Sequence, residues 1–79
     1  MRLKIYSLKG VEFDGKAEGL NVKTASGEIT VLNRHIPIVT VLRPCTAKIR
    51  IRGEETVLKE IRSGFLEMDE YNNLSVLVN

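Results

Sequence analysis

A nucleophile paired with a general base is the first chemistry to test for, and the candidates are few. The one histidine, His35, and the one cysteine, Cys45, stand ten positions apart. A thiol beside an imidazole can attack a carbonyl. Here a small thiol among apolar neighbours and a loop histidine one residue ahead of Ile36-Pro37 are the expected reading. None of the serines, Ser7, Ser26, Ser63 and Ser75, stands in the G-x-S-x-G pattern of a nucleophile elbow. One His, one Cys and scattered carboxylates give no paired metal-ligand spacing. The acid pairs Glu54-Glu55 and Asp69-Glu70 are expected in hairpin turns, with nothing beside them to split their pKa values as acid–base work requires. Neither G-x-G-x-x-G nor G-x-x-x-x-G-K-[ST] is present. The expectation is a domain with no catalytic residues, no cofactor and no metal.

The basic alternation Lys48, Arg50, Arg52 is the other chemical cue. Three like charges on one strand face could hold phosphate. A sheet that reads nucleic acid also carries stacking aromatics, and this chain has only Tyr6, Phe13, Phe65 and Tyr71. The net charge of +2, from 12 basic and 10 acidic residues, is too balanced to imply a polyanion partner. The row is therefore expected to be a solvated face paired across strands with acids such as Glu60 or Glu67. An OB-type binding module is the competing reading, and an accessory domain of an enzyme is a third.

Whatever positions these residues is built with period two. Leu3 and Ile5 alternate with Arg2, Lys4 and Tyr6; Val11 and Phe13 with Glu12 and Asp14; Leu20, Val22 and Thr24 with Asn21 and Lys23. The same alternation holds for Ala47, Ile49 and Ile51 and for Leu74, Val76 and Val78, with Ile29 and Val31 flanking Thr30. Such rows are half-buried strands, and β-branched residues suit them. Turn residues punctuate the runs at Gly10, Gly15, Gly19, Ser26-Gly27, Asn33, Pro44, Gly53, Ser63-Gly64 and Asn72-Asn73. Thr56 to Arg62 could make one amphipathic helical turn, but its length between two glycines favours a strand. With 79 residues there is room for one domain, residues 1–79, and one thin core. The fold expected is all-β, a small antiparallel β-sandwich of about eight to ten short strands.

A lone thiol fits a reducing, intracellular compartment. The opening residues alternate and do not read as a signal peptide. The longest apolar stretch, Ile36 to Leu42, is broken by Pro37 and Thr40 and is far short of a membrane span. The sequon Asn73-Leu74-Ser75 is expected to be a chance match.

The most informative stretch runs from Ser26 to Thr40: a tight turn, a short strand, a loop bent at Pro37, and a second strand. His35 is expected on the exposed loop, in a packing or capping role. Here Gly27-Glu28, Ile29, Val31-Leu32 and His35-Ile36-Pro37 resemble the N-terminal β-sandwich domain of the F-type ATP synthase epsilon subunit, called delta in mitochondria. The sequence departs from the family pattern in having Thr30 for a usual glycine and Asn33-Arg34 for a usual Pro-Gly. Phe13-Asp14-Gly15 resembles the family's early F-x-G, and Leu42-Arg43-Pro44-Cys45 a turn that usually ends in glycine. Ser63-Gly64-Phe65-Leu66-Glu67-Met68 resembles Gly-Gly-Phe-Leu-Glu-Val, and Asn73 to Val78 the last strand.

The resemblance implies a mechanical role at the foot of the central stalk, coupling the gamma subunit to the c-subunit ring during ion-driven ATP synthesis. It implies that Ser7, His35 and Thr40 face gamma and that Gly27 and Glu28 meet the polar loops of the ring. It implies no nucleic-acid partner, no direct membrane insertion, and a peripheral place on the cytoplasmic face of an energy-transducing membrane, in bacteria the plasma membrane. In longer family members a helical hairpin follows and carries inhibition of ATP hydrolysis and, in some, ATP binding. Ending at Asn79, this sequence is expected to match the short form or a trimmed domain, without an autoinhibitory role.

Overall fold

The alternating rows become strands. The computed structural model describes all 79 residues in nine strands with no helix. They are β1 (Arg2–Ser7), β2 (Gly10–Lys16), β3 (Gly19–Thr24), β4 (Gly27–Leu32), β5 (Ile38–Leu42), β6 (Cys45–Arg52), β7 (Glu55–Ile61), β8 (Gly64–Met68) and β9 (Asn73–Val78). The ambiguous stretch from Thr56 lies in the edge strand β7. Its pattern was hard to read because the strand overhangs the core and buries only Ile61. Hydrogen-bonded order is β2-β1-β9-β8-β5-β3-β6-β7, with β4 on the other side of β3. The β5–β3 link is a single residue pair, Leu42 with Thr24. It divides the ribbon into a five-stranded layer, β2-β1-β9-β8-β5, and a four-stranded layer, β4-β3-β6-β7.

The core lies between these layers. In the five-stranded layer, Phe13, Ile5, Val76, Leu66 and Thr40 stand in register across all five strands, and Leu3, Leu74, Met68 and Ile38 form the next row. From the other layer Val31, Leu20 and Ile49 stand in register, with Val22 beside them. Sixteen apolar residues are buried in one cluster, each large one contributing about 1.5–3 kcal/mol. The only buried polar residue is Thr24, and both roles of its hydroxyl are met. It donates to the Gly27 carbonyl (2.8 Å) and accepts from the Ser26 N–H (3.1 Å).

Three features depart from the alternation as read. Not every neighbour is antiparallel: β1 pairs with β9 in parallel, Leu3 beside Leu74 and Ile5 beside Val76. Val11 is not a core residue. A bulge leaves Glu12 without a partner and turns Val11, 58% exposed, to the outer face opposite Tyr6. The β3–β4 turn is Ala25–Ser26, so Gly27 and Glu28 already belong to β4, opposite Thr24 and Lys23. The two ends of the sheet order are tied by an ion pair between Glu12 of β2 and Lys59 of β7. Lys59 stands in register with Ala47, on the inward side of an edge strand, where a charge discourages further pairing.

Two backbone positions settle what the residue types there cost. A Cβ on Gly64 would lie 2.2 Å from the Leu77 carbonyl oxygen, because β8 and β9 approach closely there. Gly64→Ala is expected to destabilise the fold by about 2 kcal/mol, through backbone displacement. Arg34 is the reverse case. His35 N–H donates to the Leu32 carbonyl (3.1 Å), closing a turn in which Arg34 takes φ +63°. That is the position where a Pro-Gly turn places its glycine, and a non-glycine residue there is strained by about 1 kcal/mol. Arg34→Gly is expected to raise the melting temperature by roughly 4–8 °C. Thermal melts of both variants against the parent check the opposite signs.

Candidate functional site

Strands with one core face should carry polar residues on the other, and in the five-stranded layer one outward row, Asp14, Lys4, Ser75 and Glu67, does so while the next does not. Val11, Tyr6, Leu77, Phe65 and Val41 stand in register on its outer face, one from each strand. Phe65 is 56% exposed and Val41 48%. With strands about 4.8 Å apart, the row is roughly 19 Å long. Fully exposed Leu8 joins Val41, Phe65 and Leu77 around an apolar hollow of about 390 Å³. Val39 and Ile36, both more than 70% exposed, extend the apolar surface along β5. Lys4 Nζ lies 5.8 Å from the Tyr6 ring centroid, a cation–π contact at the row's border. A contiguous apolar patch of this kind marks an interaction surface. A signal for it existed in the sequence: Val39, Val41, Phe65 and Leu77 occupy the outward positions of strands whose inward positions are also apolar.

Ser7, Thr40 and His35 do not converge on one point. Ser7 ends β1 and is half-buried; its Oγ accepts the Lys9 N–H (3.1 Å). The nearby Glu12 carboxyl is held below the usual range first by Lys59 and then by Ser7. Thr40 is half-buried beside Leu66 on the inward row of β5. His35 is half-buried too, less exposed than a free loop would leave it. Its Nδ1 lies 2.8 Å from the Ile36 carbonyl, and since a carbonyl can only accept, Nδ1 carries the proton. Each of the three has outward apolar residues next to it in the chain: Leu8 after Ser7, Ile36 after His35, Val39 and Val41 around Thr40.

Gly27 and Glu28 lie on the other layer, at the tip of the β3–β4 hairpin. Ala25 and Ser26 keep ordinary φ, and Gly27 takes φ +119°, which only glycine adopts freely. Glu28 is exposed, and its carboxylate accepts a hydrogen bond from Asn21 Nδ2 (3.0 Å). Glu28, at the start of β4, and His35, three residues past its end, thus stand toward opposite ends of that strand.

The basic row of β6 is arranged otherwise than expected. Lys48 stands between Asn21 and Leu58, and Arg50 between Gly19 and Thr56, with no acid directly opposite either. Glu60 pairs instead with Thr46, and Glu67 is on the other layer. Only Arg52 faces an acid, Glu55. The pairing failed because register is set by the β6–β7 hairpin, which carries a one-residue shift near Arg52. Cys45 is a free, half-buried thiol whose Sγ lies 3.5 Å from the Lys23 backbone nitrogen.

The whole chain, residues 1–79, matches the family model described as ATP synthase, Delta/Epsilon chain, beta-sandwich domain. An ATP synthase epsilon chain from Thermotoga petrophila is 35% identical over 69 residues, 87% of this chain and 63% of that relative. A chloroplastic epsilon chain from Anthoceros angustus is 30% identical over 79 residues, all of this chain and 56% of the relative. The chain therefore spans somewhat over half the length of these relatives. Among solved structures, a chain in a Euglena gracilis mitochondrial ATP synthase (OSCP/F1/c-ring) superposes with a TM-score of 0.89 at 18% identity, covering 96% of this chain and 48% of that one. A Tetrahymena thermophila mitochondrial ATP synthase structure of the central stalk and c-ring gives 0.80 at 20% identity, over 99% of this chain and 62% of that one. At these identities the structures establish a shared fold.

The loop facing the Arg34 turn is organised by one carboxylate. Asp69 Oδ1 accepts the N–H groups of Tyr71 (2.8 Å) and Asn73 (2.9 Å), and Oδ2 the side-chain amide of Asn73 (3.2 Å). These donors, the Asn73 backbone foremost, hold the Asp69 carboxyl below its ordinary range. A lowered folded-state pKa contributes stability above the ordinary carboxylate value that disappears as pH falls through the folded one. Asp69→Ala is expected to melt below the parent at pH 7, with the gap narrowing as pH falls below the ordinary carboxylate value. Melting curves from neutral to acid pH test it, and a constant gap would refute it.

Proposed function

The chain belongs to the delta/epsilon β-sandwich family of ATP synthase, and on that footing we propose that it is a non-catalytic central-stalk subunit coupling gamma to the c-ring during ion-driven ATP synthesis. One observation carries the reading: the domain offers an apolar face on one layer and a polar hairpin tip on the other. The face with Val41, Phe65 and Leu77 is suited to a lasting protein contact, because apolar area supplies most of the grip. Ser7, His35 and Thr40 border that surface and are assigned to gamma. Gly27 and Glu28, on the β3–β4 tip, are assigned to the ring, where an exposed carboxylate can pair with a basic loop. Such a pair is worth only about 0–1 kcal/mol, so it sets orientation more than strength. On this reading the domain lies peripherally, at the cytoplasmic face of an energy-transducing membrane. Two layers locked through one core resist shear, as a coupling element must.

Charge placed on each surface separates the two contacts. Phe65→Glu is expected to weaken capture by purified gamma at least tenfold while leaving the melting temperature nearly unchanged, since Phe65 is outside the core. Glu28→Lys is expected to reduce retention by detergent-solubilised c-ring and leave gamma capture nearly intact. Equal loss of both partners in both variants would refute the two-surface arrangement.

A further inference from the structure

The end of the sandwich where the β4–β5 loop meets the β8–β9 turn holds an open hollow of about 520 Å³. Eight residues line it, and none is acidic. Lys16 arrives from the end of β2, Arg34 from the strained turn after β4, and Arg2 from the start of β1. Arg2 is paired with Asp14 (2.8 Å), whereas Lys16 and Arg34 enter neither of the chain's two ion pairs. The Met1 amino group donates to the Ala17 carbonyl (3.0 Å) and to Asn33 Oδ1. Partial burial, followed by repulsion from Arg34 and Lys16, holds that group below its ordinary pKa. Both cations thus lie near enough to the Met1 amino group to act on it, against a smaller attraction from Glu18.

Neutral donors complete the lining. Arg34 N–H donates to Asn72 Oδ1 (2.7 Å), which leaves the Asn72 NH₂ as a donor. Arg34 and Asn72 are the chain's two non-glycine residues at positive φ, +63° and +65°, and this hydrogen bond joins them. Strained backbone concentrates where a side chain must be presented. What arginine supplies at position 34, and the unstrained glycine cannot, is a guanidinium at the hollow. The exposed Tyr71 ring stands at the same place. The other cationic hollow, over Gly19 between Lys48 and Arg50, is lined by the Glu28 carboxylate and is the poorer site for an anion.

We propose that this hollow binds a phosphate-bearing anion through Lys16 and Arg34. The volume exceeds one phosphate and admits a diphosphate or a phospholipid headgroup. Guanidinium and ammonium both form strong charge-assisted hydrogen bonds to phosphate oxygens. The assignment stands on the hollow itself, whatever the apolar face docks on.

Two probes test it on the purified chain. Pyrophosphate is titrated while backbone amide shifts are followed, and binding to phosphatidylglycerol vesicles is compared with phosphatidylcholine vesicles by co-sedimentation. Saturable shifts confined to Lys16, Arg34 and Asn72 would identify free phosphate. Retention on the anionic vesicles alone would identify a lipid headgroup. In whichever arm binds, Arg34→Gly and Lys16→Gln are expected to weaken binding at least tenfold, and the remote Arg62→Gln to leave it within twofold. Arg34→Gly is the variant expected to fold more stably, so its loss of binding is not unfolding. No binding of either probe by the parent, or equal loss in Arg62→Gln, overturns the proposal.

Discussion

A chain of 79 residues can shield one face of each strand and little more. Everything else in this domain follows from that constraint. The inward rows through Ile5, Val76 and Leu66 on one layer and Leu20 and Ile49 on the other use up the available burial. Whatever stands on the outward positions is left to water or to a partner. The four-stranded layer resolves this with polar and charged residues such as Asn21, Lys23, Lys48 and Arg50. The five-stranded layer leaves an apolar row uncovered. The difference between the two outer faces is the feature on which the proposed contacts rest.

Much of this was legible in the residues. The number and placement of strands followed from period-two alternation and its punctuation, because a strand with one buried face writes its pattern directly into the sequence. Gly64 shows how a sequence pattern can encode contact: the glycine stands where a Cβ would meet the Leu77 carbonyl. Alternation alone failed where register was decided elsewhere. The bulge at Glu12 reversed Val11, and the β6–β7 hairpin set Lys48 and Arg50 opposite neutral residues. The parallel β1–β9 pairing was equally silent, since strand direction leaves no mark on a half-buried pattern. The cluster of Lys16, Arg34 and Asn72 could not be found by spacing, because three distant segments contribute to it.

Polar detail does a different job from the core. Asp69 and Thr24 each use a short side chain to satisfy the backbone of one tight turn, and both turns lie where surfaces are presented. Asn21 instead holds a side chain, donating its amide to the Glu28 carboxylate. The side chains that orient loops are themselves tied to the rigid layers, which keeps the two surfaces in a fixed relation. The Glu12–Lys59 pair adds a strut between the terminal strands of the sheet order, where no backbone ladder joins them.

The side-by-side placement of the first and last strands has a consequence for how the chain is made. Leu3 is paired with Leu74, so the middle of the five-stranded layer is finished only when the last strand is available. At about 5–20 residues per second, a ribosome needs roughly 4–14 s to travel between those two positions. During that interval β1 has only its β2 neighbour within its own layer, although the strands of the opposing layer are already made. A nascent chain in this state exposes strand edge and core side chains together, which invites association with chaperones or with other nascent chains. Completion of the layer therefore waits for β9, and removing that strand would take out the centre of a layer rather than its margin.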